Sequence, residues 1–141
     1  MIDLGIVVVN YNTRERLRDC LQSLEANRSA AFVTYVVDNS STDGSAEMVR
    51  AQFHNVRLIE STVNGGYSYA NNLALREILS LNQLPSFTLL LNPDTVVPPD
   101  ALAQSMAFLN AHSEAGIIGA KLVMADGNLD LACRRSFPSP E

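Results

Sequence analysis

From residue 4 to residue 9 the chain carries no polar side chain, and Asn10 is the first to interrupt it. A short, continuous, mostly β-branched run of this kind predicts a strand covered on both faces. Beyond Asn10-Tyr11-Asn12-Thr13 the spacing changes. Leu17, Cys20, Leu21 and Leu24 recur at i, i+3, i+4 and i+7, which predicts a helix capped by Asn12 or Thr13. Residues 32–37 repeat the buried-strand pattern and end at Asp38. The polar stretch 39–44 then leads into a short helix through about Gln52. Residues 56–59 read as a third strand that ends in the loop 61–66. A helix over about 67–81 presents Ala70, Leu73, Ala74, Ile78 and Leu81 on one face. Residues 87–91 form a fourth strand, stopped by Asn92-Pro93. Pro98 and Pro99 are expected in the first turn of a last helix, with Asp100 adding favourable charge and Leu102, Met106 and Leu109 its apolar stripe. Residues 116–124 predict a fifth strand and Asp126-Gly127-Asn128 a hairpin turn. Residues 134–140 have no period.

Strand and helix alternate four times. That pattern predicts βαβ units, a mainly parallel sheet and helices on both of its faces. In such sheets ligands bind outside the carboxyl ends of the strands. Asn10, Asp38, Asn64 and Asn92-Pro93-Asp94 all follow strands, so the polar residues of interest are expected along one edge.

Composition narrows the field. Of 141 residues, 47% are hydrophobic and 18% charged, so the chain can build a core. Ten Lys and Arg, a net charge of -5 and no basic run argue against a nucleic-acid surface. The opening residues lack the positive start and small-residue cleavage site of a signal peptide. No apolar stretch approaches the ~20 residues of a membrane span, and the expectation is a cytoplasmic domain. Cys20 and Cys133 suggest neither a zinc spacing nor a disulfide framework, and Cys20 is expected in the core. His54 and His112 lack a matching ligand set, and Met48, Met106 and Met124 are expected to fill core gaps.

Three clusters carry candidate chemistry, each with a plainer alternative. Asp38 at a strand end is placed to accept hydrogen bonds from a nucleotide, or it merely caps a loop. Asp43-Gly44 is a turn and helix cap. In Asn64-Gly65-Gly66-Tyr67-Ser68-Tyr69-Ala70-Asn71-Asn72, paired glycines before a helix N-terminus allow close approach of a phosphate, or form a flexible turn. The spacing fits neither a Walker A loop nor a dinucleotide fingerprint. In Asn92-Pro93-Asp94 an apolar strand delivers a carboxylate suited to a divalent ion held against a diphosphate; the same tripeptide is also good turn composition.

Taken together and in order, Asn10-Tyr11-Asn12, the segment from Val37 to Ser45, the segment from Asn64 to Asn72, and Asn92-Pro93-Asp94 resemble the motifs of family 2 glycosyltransferases over about residues 2–135. The likeness runs to the bacterial branch that includes rhamnosyltransferases of cell-wall and surface-polysaccharide synthesis. It implies a GT-A fold, a Rossmann-like αβα sandwich, with residues 1–135 as the nucleotide-sugar-binding part. Residues 136–141 would then be a tail leading into an acceptor-binding half. By the same resemblance Asp38 contacts the nucleotide base and the backbone around Val9, Asn10 and Tyr11 lines the base pocket. Asn64 and Gly65 border the nucleotide, Asn71 faces the diphosphate, Asn92 lies beside it, and Asp94 binds Mg²⁺ or Mn²⁺. The implied donor is a dTDP- or UDP-sugar, and the implied acceptor a glycan or lipid-linked glycan at the inner face of a membrane. Transfer would be inverting. Two departures stand out: Asn92 replaces the first Asp of the family's DxD motif, and no segment matches the acidic general base, which is expected beyond Glu141. The main alternative is a non-catalytic binding module, and two other classes fit less well. A non-catalytic nucleotide-sugar-binding module would share the donor site. A sugar nucleotidyltransferase would open with a Gly-rich, basic first loop, and a receiver domain with paired acids where Asn10 and Asn12 stand.

Overall fold

The computed structural model describes residues 2–133. Its first strand is the run that the pattern singled out. β1 (Leu4–Asn10) is buried at every position, as only a strand flanked by two others and covered on both faces can be. β2 (Phe32–Asp38), β3 (Val56–Glu60) and β4 (Phe87–Leu91) join it in a sheet of order β3-β2-β1-β4 in which every pairing is parallel. The edge strands β3 and β4 are only partly buried, and Leu90 on β4 is exposed.

Helices α1 (Arg14–Glu25), α2 (Ser45–Gln52) and α3 (Gly66–Leu79) alternate with the strands. α3 lays Ala70, Ala74 and Ile78 against Val7, Val9, Tyr35 and Val37, with Leu73 packed at the margin. These four strand residues share one face through the two-residue period. Ile6, Val8 and Val36 point the other way and are just as buried. In α1 the buried positions are Leu17, Cys20, Leu21 and Leu24, the residues that the helical spacing selects.

Tertiary contacts change how α1 begins. Its N-cap residue is Thr13, which makes no side-chain cap bond. Asp43 takes that role from 29 residues away, accepting the Arg14 N–H at Oδ2, 2.9 Å. Its Oδ1 accepts the Ser45 N–H at 3.0 Å, so one carboxylate serves the first turns of α1 and α2. Burial pushes the Asp43 carboxyl up, but the Ser45 hydroxyl and the Arg14 and Ser45 N–H groups outweigh it and hold the group below its ordinary value.

The chain divides into two compact units at Ala103, and α4 (Ala101–Ala111) begins in the first and continues into the second. Pro98 and Pro99 precede this helix rather than opening it. Asp100 stands between them and α4 with a left-handed φ of 66° and accepts the Ser29 hydroxyl at 2.9 Å. In the second unit the expected fifth strand does not form. Residues 116–122 are irregular, and a single antiparallel bridge joins Val123 to Leu129. The hairpin turn is there, closed by the Met124 N–H on the Asn128 carbonyl at 2.8 Å. Ile117 is 92% exposed and Met124 is exposed as well, so neither fills a core. The expectation that Met124 does so is corrected, whereas Met48 is buried. Residues 134–140 lie outside the described part.

Cys20 is fully buried and Cys133 partly so, and both are free thiols. Burial first, and the negative charge of Asp94 second, push the Cys20 thiol up to about 12. A thiol held protonated is a poor nucleophile. Titration of the native chain with a chromogenic disulfide at pH 8 should therefore count one reactive thiol, and two in denaturant. Two fast thiols in the native chain would contradict the packing of α1.

Candidate functional site at the carboxyl edge of the sheet

Parallel pairing brings every strand-end cluster to one edge. In register, Asn10 stands opposite Asp38 and Asp38 opposite Glu60, while the end of β4, Leu91, pairs with Val8. The chain order reverses between β1 and β4, and ligands of open α/β sheets bind outside the carboxyl ends of the strands at such a switch point. Asn10 lies on one side of this switch point and Asn92-Pro93-Asp94 on the other.

A hydrogen-bonded polar network fills the edge between β1 and β2. Asn10 Nδ2 donates to Asp38 Oδ1 at 2.9 Å and to Ser41 Oγ at 3.1 Å, and its Oδ1 accepts the Thr13 hydroxyl at 2.7 Å. The other Asp38 oxygen, Oδ2, accepts the Ser41 N–H at 2.9 Å. Asn10 is completely buried and Asp38 nearly so. Buried polar groups need partners, and here each finds one. Two non-glycine residues, Asn12 (φ 52°) and Ser40 (φ 68°), take left-handed backbone at the ends of these strands. For Ser40 that costs roughly 1–2 kcal/mol, offset by the bond from its neighbour Ser41 to Asp38. Asn12 is fixed by the Ser41 hydroxyl on its N–H and by its own Oδ1 on the Thr42 N–H, 2.8 Å.

A second set of bonds ties this network to the glycine loop through Asn39, whose N–H donates to the Asn10 carbonyl at 2.8 Å. Asn39 is buried; its Nδ2 donates to Asn64 Oδ1 at 2.7 Å and its Oδ1 accepts the Gly65 N–H at 3.2 Å. Asn64 Oδ1 also accepts the Gly66 N–H at 3.1 Å. Gly66 has φ 84°, a backbone region where a side chain is strained. The sequence pattern gives Thr13 only the part of a helix cap, and Asn39 and Ser41 only a place in the polar stretch after β2. The available signal was a polar tripeptide directly after a buried strand, but which of its side chains turn inward depends on the sheet register.

Other predicted residues stand differently. Tyr11, Asn64, Gly65, Asn92 and Asp94 are exposed at the edge, whereas Val9 and Asn71 are buried. Asn71 donates from Nδ2 to the Tyr67 carbonyl at 2.9 Å, and its buried Oδ1 has no hydrogen-bond partner among the described residues. As oriented, the spare atom is an acceptor, suited to a hydroxyl or amide rather than to a phosphate oxygen. The Asp94 carboxylate is half-exposed and lies 4.0 Å from Arg16 Nη1. Among the described residues no three His, Cys, Asp or Glu side chains gather as a metal cage. One accessible carboxylate does fit Mg²⁺ or Mn²⁺ of the kind that keeps its waters and takes its other ligands from substrate phosphates.

Fold and edge define a GT-A domain: a mainly parallel α/β sheet whose carboxyl edge gathers the motif residues. The chain belongs to glycosyl transferase family 2, whose profile matches residues 5–131. It is 26% identical over 141 residues to an N-acetylglucosaminyl-diphospho-decaprenol L-rhamnosyltransferase of Mycobacterium tuberculosis, covering 94% of this chain and 45% of that protein. Among solved structures it is similar to S. aureus TarS in complex with UDP-GlcNAc (TM-score 0.66, 25% identity, 79% of this chain and 32% of that one). It is also similar to a mannosyltransferase from Pyrobaculum calidifontis in complex with GDP-Man and Mn²⁺ (TM-score 0.70, 22% identity, 86% and 36%). The chain spans less than half the length of the curated relatives it matches. Among the described residues no helix is long and apolar enough to cross a membrane.

Proposed function

We propose that this chain supplies the donor side of a glycosyltransferase, holding the nucleoside diphosphate of an activated sugar at the carboxyl edge of its sheet. The observation that supports this most is the hydrogen-bonded network of Asn10, Asp38 and Ser41, joined through the Asn39 N–H on the Asn10 carbonyl to Asn39, Asn64 and Gly65. It holds the strand ends on the β1–β2 side of the switch point, while Asp94, half-exposed, follows β4 on the other side. In this reading Val9, Asn10, Tyr11 and Asp38 form the base end of the site. Asn64, Gly65, Asn71 and Asn92 flank the rest of the nucleotide, and Asp94 would hold Mg²⁺ or Mn²⁺. Such an ion supplies charge neutralisation for the departing diphosphate. The donor is a dTDP- or UDP-sugar and the acceptor a glycan or lipid-linked glycan. Transfer is inverting: a base takes the proton of an acceptor hydroxyl, whose oxygen bonds to the anomeric carbon as the bond to the diphosphate breaks and its electron pair leaves with the nucleotide. We place that base beyond Glu141 and the site of action on the cytoplasmic side.

Calorimetric titration of the chain with UDP and with dTDP, with and without Mn²⁺, tests the reading. Binding is expected, and tighter with metal. Asp94→Asn is expected to abolish the metal enhancement without loss of fold, because an exposed loop carboxylate has little packing to lose. A folded sample that gives no heat with either nucleotide at millimolar concentration would sink it.

A further inference from the structure

The loop that carries Asp94 is fastened at both ends to one face of α1. Arg16, Cys20 and Ser23 recur along that helix at i, i+4 and i+7, and Asn27 follows just past its end, four residues further on. At the start of the loop the Cys20 thiol donates to the Asn92 carbonyl at 3.8 Å. At its end the Val97 N–H donates to Ser23 Oγ at 2.9 Å, and Asn27 Nδ2 donates to the Val97 carbonyl at 3.4 Å and the Ser23 carbonyl at 3.0 Å. Ser23 is itself oriented by donating its hydroxyl to the Cys20 carbonyl at 2.6 Å. Asn27 and Val97 are buried. Between the two anchors the Thr95 N–H closes a turn on the Asn92 carbonyl at 3.3 Å. Asp94 stands inside that turn, with Arg16 as the outermost member of the helix face.

None of these bonds belongs to the sheet, since β4 has ended at Leu91. A tripeptide of turn composition is free to sample several conformations unless something selects one. A carboxylate has to be presented in one geometry to share an ion with a diphosphate, and ordering a loop at the moment of binding subtracts from affinity. Fixing it beforehand removes that cost.

We propose that Ser23, supported by Asn27, is a positioning residue for Asp94: a helix face that touches no ligand sets where the carboxylate is presented, and so sets how far metal strengthens nucleotide binding. This rests on the reading of Asp94 as the metal-binding carboxylate.

The experiment uses the full chain, UDP and MnCl₂. Dissociation constants for UDP are measured with and without Mn²⁺ for the wild type, Ser23→Ala, Ser23→Thr and Asp94→Asn, alongside hydrogen exchange at the Val97 amide. Ser23→Ala should leave metal-free UDP affinity within about twofold. It should also reduce the Mn²⁺ enhancement by about tenfold or more, the scale on which residues behind a metal ligand act. Its Val97 amide should exchange faster, and Ser23→Thr, which keeps the hydroxyl, should restore both values. If Ser23→Ala does not fold, Ser23→Cys keeps the volume but offers a poor acceptor, and the same loss is expected of it. Equal loss of affinity with and without metal would mean a purely structural role and overturn the inference. So would an enhancement equal to wild type in Ser23→Ala while Asp94→Asn abolishes it, and that result leaves the donor-site reading standing. A wild type without Mn²⁺ enhancement, or an Asp94→Asn variant that keeps it, overturns the Asp94 reading and this inference with it.

Discussion

Asp38→Ala is expected to lower the unfolding free energy by about 3–6 kcal/mol, since each of its two hydrogen bonds to a charged acceptor contributes roughly 1.5–3 kcal/mol. Both carboxylate oxygens are used, Oδ1 by Asn10 Nδ2 and Oδ2 by the Ser41 N–H. Removing them leaves the Ser41 N–H without its acceptor. Nδ2 of the fully buried Asn10 would keep the Ser41 hydroxyl alone, at 3.1 Å. Out of a total of about 5–15 kcal/mol for an ordinary domain, that loss is a large share. Asp38→Asn separates shape from charge. It keeps the volume but places an amide donor against either Asn10 Nδ2 or the Ser41 N–H, so one mismatch of about 1–3 kcal/mol is expected. Urea titrations with unchanged slope are the measurement. A loss below about 1 kcal/mol in Asp38→Ala would mean that the network closes without its carboxylate. If Asp38 also receives the nucleotide base, Asp38→Asn should lose UDP affinity in samples that are fully folded.

The strength of that prediction comes from a pairing that could not be read from the sequence. Asn10 and Asp38 each announce themselves locally, because each ends an uninterrupted apolar run and a parallel sheet sends all such ends to one edge. Their contact is another matter. It depends on β1 and β2 pairing in the register that sets residue 10 beside residue 38, and no local period encodes a register. The same limit explains the helix caps: Thr13 and Asn12 are sound local candidates, yet Asp43 reaches Arg14 across the strand ends while Thr13 turns to Asn10. It explains Asn39 as well, whose partners Asn64 and Gly65 lie 25 and 26 residues on. Periodicity served best where burial is two-sided or strongly one-sided, as in β1 and α1. It failed over residues 116–124, where the apolar content suits a strand but only one bridge forms. A strand exists through its partner's hydrogen bonds, and composition does not supply the partner. The edge site was therefore legible as a set of positions, and the network that rigidifies it was not.

Acceptor-dependent release of nucleoside diphosphate by this chain alone is expected to fall about 10²–10⁴-fold below that of a chain extended past Glu141 to the length of its curated relatives, because general-base help is worth that much. A base works best with a pKa near the operating pH and with a lone pair free to take the proton. Asp38 is buried with both oxygens occupied, and Asp94 is assigned to the metal in the proposed site. Asp43 caps two helices and is held below its ordinary value. Glu60 pairs with Arg50 at the outer strand. In the hairpin, the Asn128 N–H and then its side-chain amide hold the Asp126 carboxyl below the ordinary range, which makes it a weaker base rather than a stronger one. Asp130 ends that hairpin, with its N–H on the Leu122 carbonyl. Loss of acceptor contacts adds to the deficit, since positioning contributes its own share of the barrier. The check is a nucleotide-release assay on both chains over a panel of UDP- and dTDP-sugars, with and without acceptor glycan. Comparable acceptor-dependent rates from the two would show that the base lies within these 141 residues. Asp126→Asn and Asp130→Asn would then identify it, by which of them abolishes release while leaving UDP affinity unchanged.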